Sequence, residues 1–129
     1  MGKYVNPQII EEKFTESEFF ENVVVFGEGQ KYAAAIIVPD FNFLKDWCKQ
    51  HQLTFTSPKE VINLKAIKDC IAQEVKKYNN LFGETEQIKR YTLIADEWST
   101  ANSILTPTLK VKRNVVSSKY QDVIQSMYC

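Results

Sequence analysis

A chain of 129 residues and 15.0 kDa has the size of one domain and can bury roughly two-thirds of its unfolded surface without metal or disulfide staples. Sixteen Lys and Arg balance sixteen Asp and Glu, which removes the bulk positive field that a nucleic-acid partner favours, and 44% hydrophobic with 25% charged residues is globular composition. Three cysteines without CxxC spacing (Cys48, Cys70, Cys129), a single histidine (His51) and no apolar run near ~18 residues argue against a disulfide framework, a multi-His metal site and a membrane span, and make the cytoplasm the expected compartment.

Asn6-Pro7 reads as a helix start, with Asn capping free N–H groups and Pro at the first helical position, and Ile9, Ile10 and Phe14 give it an apolar stripe to about Ser17. FFENVVVFGE (19–28) and KYAAAIIV (31–38) are β-rich or continuous apolar runs separated by Gly27-Glu28-Gly29, which predicts a β-hairpin. That GxG lacks the third glycine and the following helix of a dinucleotide fingerprint. Asp40 is placed to cap a helix whose Leu44, Trp47, Cys48 and His51 share one face. Ser57-Pro58-Lys59-Glu60 has the form of a capping box and predicts a short helix. A longer helix follows from Leu64, with Leu64, Ile67, Ile71, Val75, Tyr78 and Phe82 at helical spacing and Gly83 as its stop. Gln87–Glu97 alternates as a strand, Ser99–Pro107 is polar and turn-prone, and Asn114–Tyr128 has a weak helical pattern. The order predicts an α+β fold: a small two-layer domain, 1–129, with an antiparallel hairpin-based sheet packed by helices.

Composition and spacing supply few catalytic constellations. The chain has no GxxxxGK loop, no GxSxG elbow and no HExxH. Cys48 and His51 lie one helical turn apart, but both fall on the apolar stripe and read as core. LTPTLKVKR (105–113) is different, with Lys110, Lys112 and Arg113 crowded beside a Pro-containing, hydroxyl-rich stretch. Composition alone reads this as a solvated charge cluster, but such a segment also suits an anion-binding loop, since lysine acts as a flexible point charge for phosphate or carboxylate.

Two segments together carry a resemblance. GKYVNPQIIE (2–11) and LTPTLKVKR (105–113), with FGEGQKYAAAIIVPD (26–40) between them, resemble the signature motifs and central hairpin of the C-terminal domain of long-chain fatty-acid–CoA ligases. These are AMP-forming acyl-CoA synthetases of the adenylating superfamily. The resemblance covers nearly the whole chain, with two departures. Thr108-Leu109 stand where most adenylating relatives have Ser-Gly, as they do in the long-chain branch. Asn102-Ser103-Ile104 stand where long-chain relatives often have a glycine.

The resemblance implies a mobile lid that serves two half-reactions: formation of acyl-AMP from a fatty acid and Mg-ATP, then displacement of AMP by CoA. It implies that Lys110 is the catalytic lysine of adenylation, and that Gly2, with Lys3 and Tyr4, lines the pantetheine tunnel for the thioester step. Lys76 or Lys77, near the end of the long helix, would meet the CoA phosphates. It further implies that the domain holds no metal or cofactor of its own, while ATP, Mg and CoA are used by the whole enzyme. Its partners would then be its own N-terminal adenylate-forming domain, absent from this chain, the fatty acyl-adenylate and CoA, with membrane contact open to the parent enzyme. On this reading the chain is an excised lid, inactive alone. The alternatives are a free-standing CoA-binding or regulatory module without catalysis, and a lid whose parent enzyme delivers its acyl group to a carrier protein.

Overall fold

Residues 7–27, 32–83, 87–95, 98, 104–108 and 111–128 are described by the computed structural model. Helix α1 (Pro7–Phe14) leads into the hairpin β1 (Phe20–Phe26) and β2 (Ala33–Pro39). The helices α2 (Phe41–Gln50), α3 (Pro58–Val61) and α4 (Lys65–Asn79) then carry the chain to β3 (Ile88–Leu93). Two short helices close the chain, α5 (Arg113–Lys119) and α6 (Gln121–Ser126).

The helix starts follow from their side chains. Pro7 is the first helical residue of α1, whereas the expected cap, Asn6, lies outside the described residues. Asp40 accepts the N–H groups of Asn42 and Phe43 at 3.1 Å each. Ser57 Oγ accepts the Glu60 N–H at 3.2 Å, and Glu60 returns a carboxylate to the Thr56 N–H at 3.1 Å, so free donors at the start of α3 are satisfied from both sides. The last α-helical residue of α4 is Asn79. Its end tightens into i→i+3 turns, the Leu81 and Phe82 N–H groups donating to the C=O groups of Tyr78 and Asn79 at 3.0 Å each, up to the residue before Gly83. The position of Gly83 is open: a Cβ there would meet nothing within 4 Å. The Asn79 side chain clasps the backbone of Ile88, donating to its C=O at 2.9 Å and accepting its N–H at 2.8 Å. Gln87 Nε2 donates to the C=O groups of Asn79 and Phe82 at 3.2 and 3.3 Å.

The sheet has the order β1-β2-β3, antiparallel between β1 and β2 and parallel between β2 and β3. The predicted hairpin is therefore present, and the α+β class with it, while the third strand arrives by a helical crossover and makes the sheet mixed. A register shift between Phe20 and Asn22 leaves Glu21 as the extra residue, so Phe20 shares a face with Val23 and Val25. A second shift, with Ala33 opposite Ile88 and Ala34 opposite Arg90, aligns Ile88 with Tyr91 and Leu93.

Every residue of β2 is buried, as expected of a central strand covered on both faces. Ala33, Ala35 and Ile37 face a core built with α1, α2 and α4, including Ile10, Phe14, Leu44, Ile67 and Ile71. Ala34, Ile36 and Val38 face a second core with Trp98, Ile104, Val116, Tyr120 and Met127. Helices thus cover both faces, one layer more than the expected two, because the weak terminal pattern at 114–128 contributes α5 and α6 to the second face. Each fully buried Ile contributes about 1.5–3 kcal/mol. Reciprocal tyrosines hold this last layer: Tyr32 Oη donates to the Met127 C=O at 2.5 Å and Tyr128 Oη to the Phe26 C=O at 2.9 Å. Among the described residues no helix is long and apolar enough to cross a membrane.

Candidate functional site

The LTPTLKVKR segment starts and ends on fixed ground. Ile104 and Leu105 are buried in the second core, with Ile104 fully so. Leu105 forms an antiparallel bridge with Val111, and the Lys112 N–H donates to the Ile104 C=O at 2.7 Å. Leu105 and Val111 are therefore fixed on either side of the segment between them. Thr106 and Thr108 share a hydroxyl hydrogen bond of 3.0 Å. Leu109 and Lys110 lie outside the described residues, so the structure locates the root of the loop and not its lysine.

Of the three cations expected to serve that loop, Arg113 has a different task. It opens α5, and its Nη1 donates to the Val25 C=O at 2.6 Å while its Nη2 donates to Glu11 Oε2 at 2.5 Å. The same Glu11 oxygen accepts the Val25 N–H at 2.7 Å. Val25 belongs to an edge strand, so its outward N–H and C=O lack a strand partner, and this carboxylate and guanidinium take the place of one. The Glu11 side chain is only 17% exposed and that of Arg113 40%. Burial raises the Glu11 carboxyl above its usual range, against the opposing pull of the Val25 N–H and Arg113. A cleft of about 540 Å³, lined in part by Gln8, Glu11, Asn22, Val111 and Arg113, runs beside this clasp. Residue patterning offered no sign of the Glu11–Arg113 contact, since the two stand 102 positions apart.

Gly2, Lys3 and Tyr4 also lie outside the described residues. Lys76 and Lys77 are exposed on the last turn of α4. Lys77 Nζ stands 5.4 Å from the centroid of the Tyr78 ring and lines a small cleft shared with Glu16, Glu18 and Glu74. Those carboxylates oppose an anionic ligand at Lys77. The Cys48–His51 pairing dissolves: Cys48 is buried in the first core, which pushes its thiol up. His51, expected in the core, is exposed at the end of α2, stacked on Trp47 at 3.9 Å with Nδ1 2.8 Å from the Trp47 C=O. Among the described residues no group of His, Cys, Asp or Glu could hold a metal ion.

Comparison with known proteins adds the family level. The family described as AMP-binding enzyme C-terminal domain matches residues 1–129. The chain is 32% identical to long-chain-fatty-acid–CoA ligase 1 of Homo sapiens, over 98% of this chain and 18% of that enzyme. It is 26% identical to the chloroplastic long-chain-fatty-acid–[acyl-carrier-protein] ligase AEE15 of Arabidopsis thaliana, over 98% of this chain and 16% of that enzyme. It thus spans less than a fifth of the length of either. Its fold matches part of the A domain of a carboxylic acid reductase from Segniliparus rugosus, a structure with AMP and a co-purified carboxylic acid, with a TM-score of 0.76 and 19% identity over 98% of this chain and 18% of that one.

Proposed function

Since the chain belongs to the family of AMP-binding enzyme C-terminal domains, we propose that it works as the mobile lid of a long-chain fatty-acid–CoA ligase, an enzyme converting fatty acid, ATP and CoA to acyl-CoA, AMP and pyrophosphate. The observation that carries this reading is the alignment of 98% of the chain with 18% of the human ligase at 32% identity. ATP, Mg and CoA belong to the whole ligase, and the domain's first partner is the adenylate-forming domain of the same polypeptide.

Lys110 supplies the cation for adenylation. It offsets the repulsion between the acyl carboxylate and the ATP phosphates and steadies charge developing at the α-phosphate. A cation ~4 Å from an anion at an effective dielectric of ~20 gains about 4 kcal/mol of raw attraction. A difference of that size in the transition state is worth nearly three orders of magnitude in rate. The pinned root at Leu105 and Val111 supports this role, because a short loop with fixed ends loses less freedom when it delivers a charge. Gly2, Lys3 and Tyr4 serve the thioester step, where a glycine lets the backbone approach the pantetheine closely.

The test uses the polypeptide in which this domain accompanies its adenylate-forming domain. Lys110→Ala lowers acyl-AMP formation, read by pyrophosphate exchange, by about 100-fold or more and spares thioester formation from supplied acyl-AMP. Gly2→Leu gives the reverse pattern. Equal losses of both half-reactions in both variants overturn the assignment. A native band near 15 kDa on an immunoblot of source cells, with CoA binding by the small protein, would favour the free-standing module instead. A second reading, transfer to a carrier-protein thiol, draws on the name of the Arabidopsis relative, and supplying CoA and acyl carrier protein in parallel separates the two acceptors.

A further inference from the structure

The two segments assigned to the two half-reactions end on residues that meet in the fold. GKYVNPQIIE ends at Glu11 and LTPTLKVKR at Arg113, and together they close a ring over the backbone of Val25 through contacts of 2.7, 2.6 and 2.5 Å. We infer that Glu11 and Arg113 are positioning residues, on whose ring both half-reactions depend. The ring ties α1, which follows the Gly2–Tyr4 segment in the chain, to the bridged Val111 and the start of α5, which follow Lys110 in the chain. This inference rests on the proposed ligase function.

Three observations lead there. Arg113 follows directly on Lys112, whose N–H is held by Ile104, and Val111 is bridged to Leu105. No slack therefore separates the loop root from the ring. Glu11 lies on α1, the helix that begins at Pro7, immediately after the segment bearing Gly2, Lys3 and Tyr4. Both side chains grip the backbone of one edge-strand residue rather than each other alone, so each is oriented with respect to the sheet as well as to its partner. The planar guanidinium fork suits this double duty, reaching a carbonyl and a carboxylate from neighbouring nitrogens, which one lysine ammonium reproduces poorly. Burial also works against the Glu11 charge, so the ring is a costly way to gain stability and a direct way to gain geometry.

Kinetics of the ligase containing this chain test the inference. Glu11→Ala and Arg113→Ala each lower kcat in both half-reactions by about 10-fold or more, since small misplacements of reacting groups are expensive. KM for ATP and for CoA stays within about 2-fold. The double variant is no slower than the slower single one, because one ring is broken in all three. Glu11→Gln keeps an acceptor oxygen for Val25 and Arg113 and recovers most of the loss, whereas Arg113→Lys does not. Folded variants with both kcat values unchanged, with altered KM alone, or with only one half-reaction impaired would overturn the inference. Should either alanine variant fail to fold, the contrast between Glu11→Gln and Arg113→Lys decides it. The outcome for Lys110→Ala tests the ligase reading separately, so failure of one is distinguishable from failure of the other.

Discussion

Glu11 is pulled in two directions: burial favours its neutral form, while the Val25 N–H and Arg113 favour the carboxylate. Burial is the stronger, so the folded domain binds this proton more readily than the unfolded chain does. Its contribution to stability is then fully present below the ordinary carboxylate range, about pH 4, and is lost as pH rises through the higher folded value. Glu11→Gln, which has no charge to desolvate, is expected to gain stability relative to the parent as pH climbs from about 4 to 7. Urea unfolding of the two proteins at several pH values measures this, and a difference that stays flat or shrinks with rising pH refutes it. The same residue shows why much of the candidate site was illegible in the sequence. Lys110 and Arg113 stood out as cations on local grounds, but Arg113 is committed to a partner 102 positions away, and local periodicity carries no such information.

Among the elements, those with caps in the sequence formed where their caps said they should. Asp40 and Ser57 accept the predicted N–H groups, and the two apolar runs pair as a hairpin. The last α-helical residue of α4 is Asn79, with i→i+3 bonds carrying the turn on to Phe82, next to Gly83. The contact that ties this end to the sheet, however, is tertiary and hidden from the sequence: Asn79 bonds both backbone groups of Ile88. Strand direction was equally hidden, since alternation looks the same whether β3 runs parallel or antiparallel. The Asn79 clasp is a hinge-pin between α4 and β3. Asn79→Ala would leave the N–H and C=O of the buried Ile88 without these partners and is expected to cost about 1–3 kcal/mol. Asn79→Asp keeps the acceptor for the N–H but sets a carboxylate against the C=O, and should also destabilise. Denaturant titration gives both values, and a loss below about 0.5 kcal/mol for the alanine variant would mean that solvent replaces the clasp at little cost.

At the scale of the whole molecule, two cores share one strand. Trp47 packs against the first and Trp98 lies within the second, and they are the chain's only two tryptophans. Because β2 gives Ala33, Ala35 and Ile37 to one core and Ala34, Ile36 and Val38 to the other, neither can dissolve without baring the other's floor. Fluorescence of Trp47→Phe and of Trp98→Phe is therefore expected to coincide with the far-UV circular dichroism of the same variant during urea unfolding. A fluorescence change that precedes the dichroism in the variant retaining Trp98 would show that α5 and α6 detach first. The mixed sheet also sets an order of events during synthesis. The β1–β2 pairing joins near neighbours and can form early, but β3 must wait for the segment carrying α2, α3 and α4 to be made before it can reach β2. Until then the AAAIIV run of β2 shows an unpaired apolar edge to other chains. The interval between emergence of β2 and arrival of β3 is thus the nascent protein's period of greatest exposure to aggregation, and the time at which a ribosome-associated chaperone would protect it most.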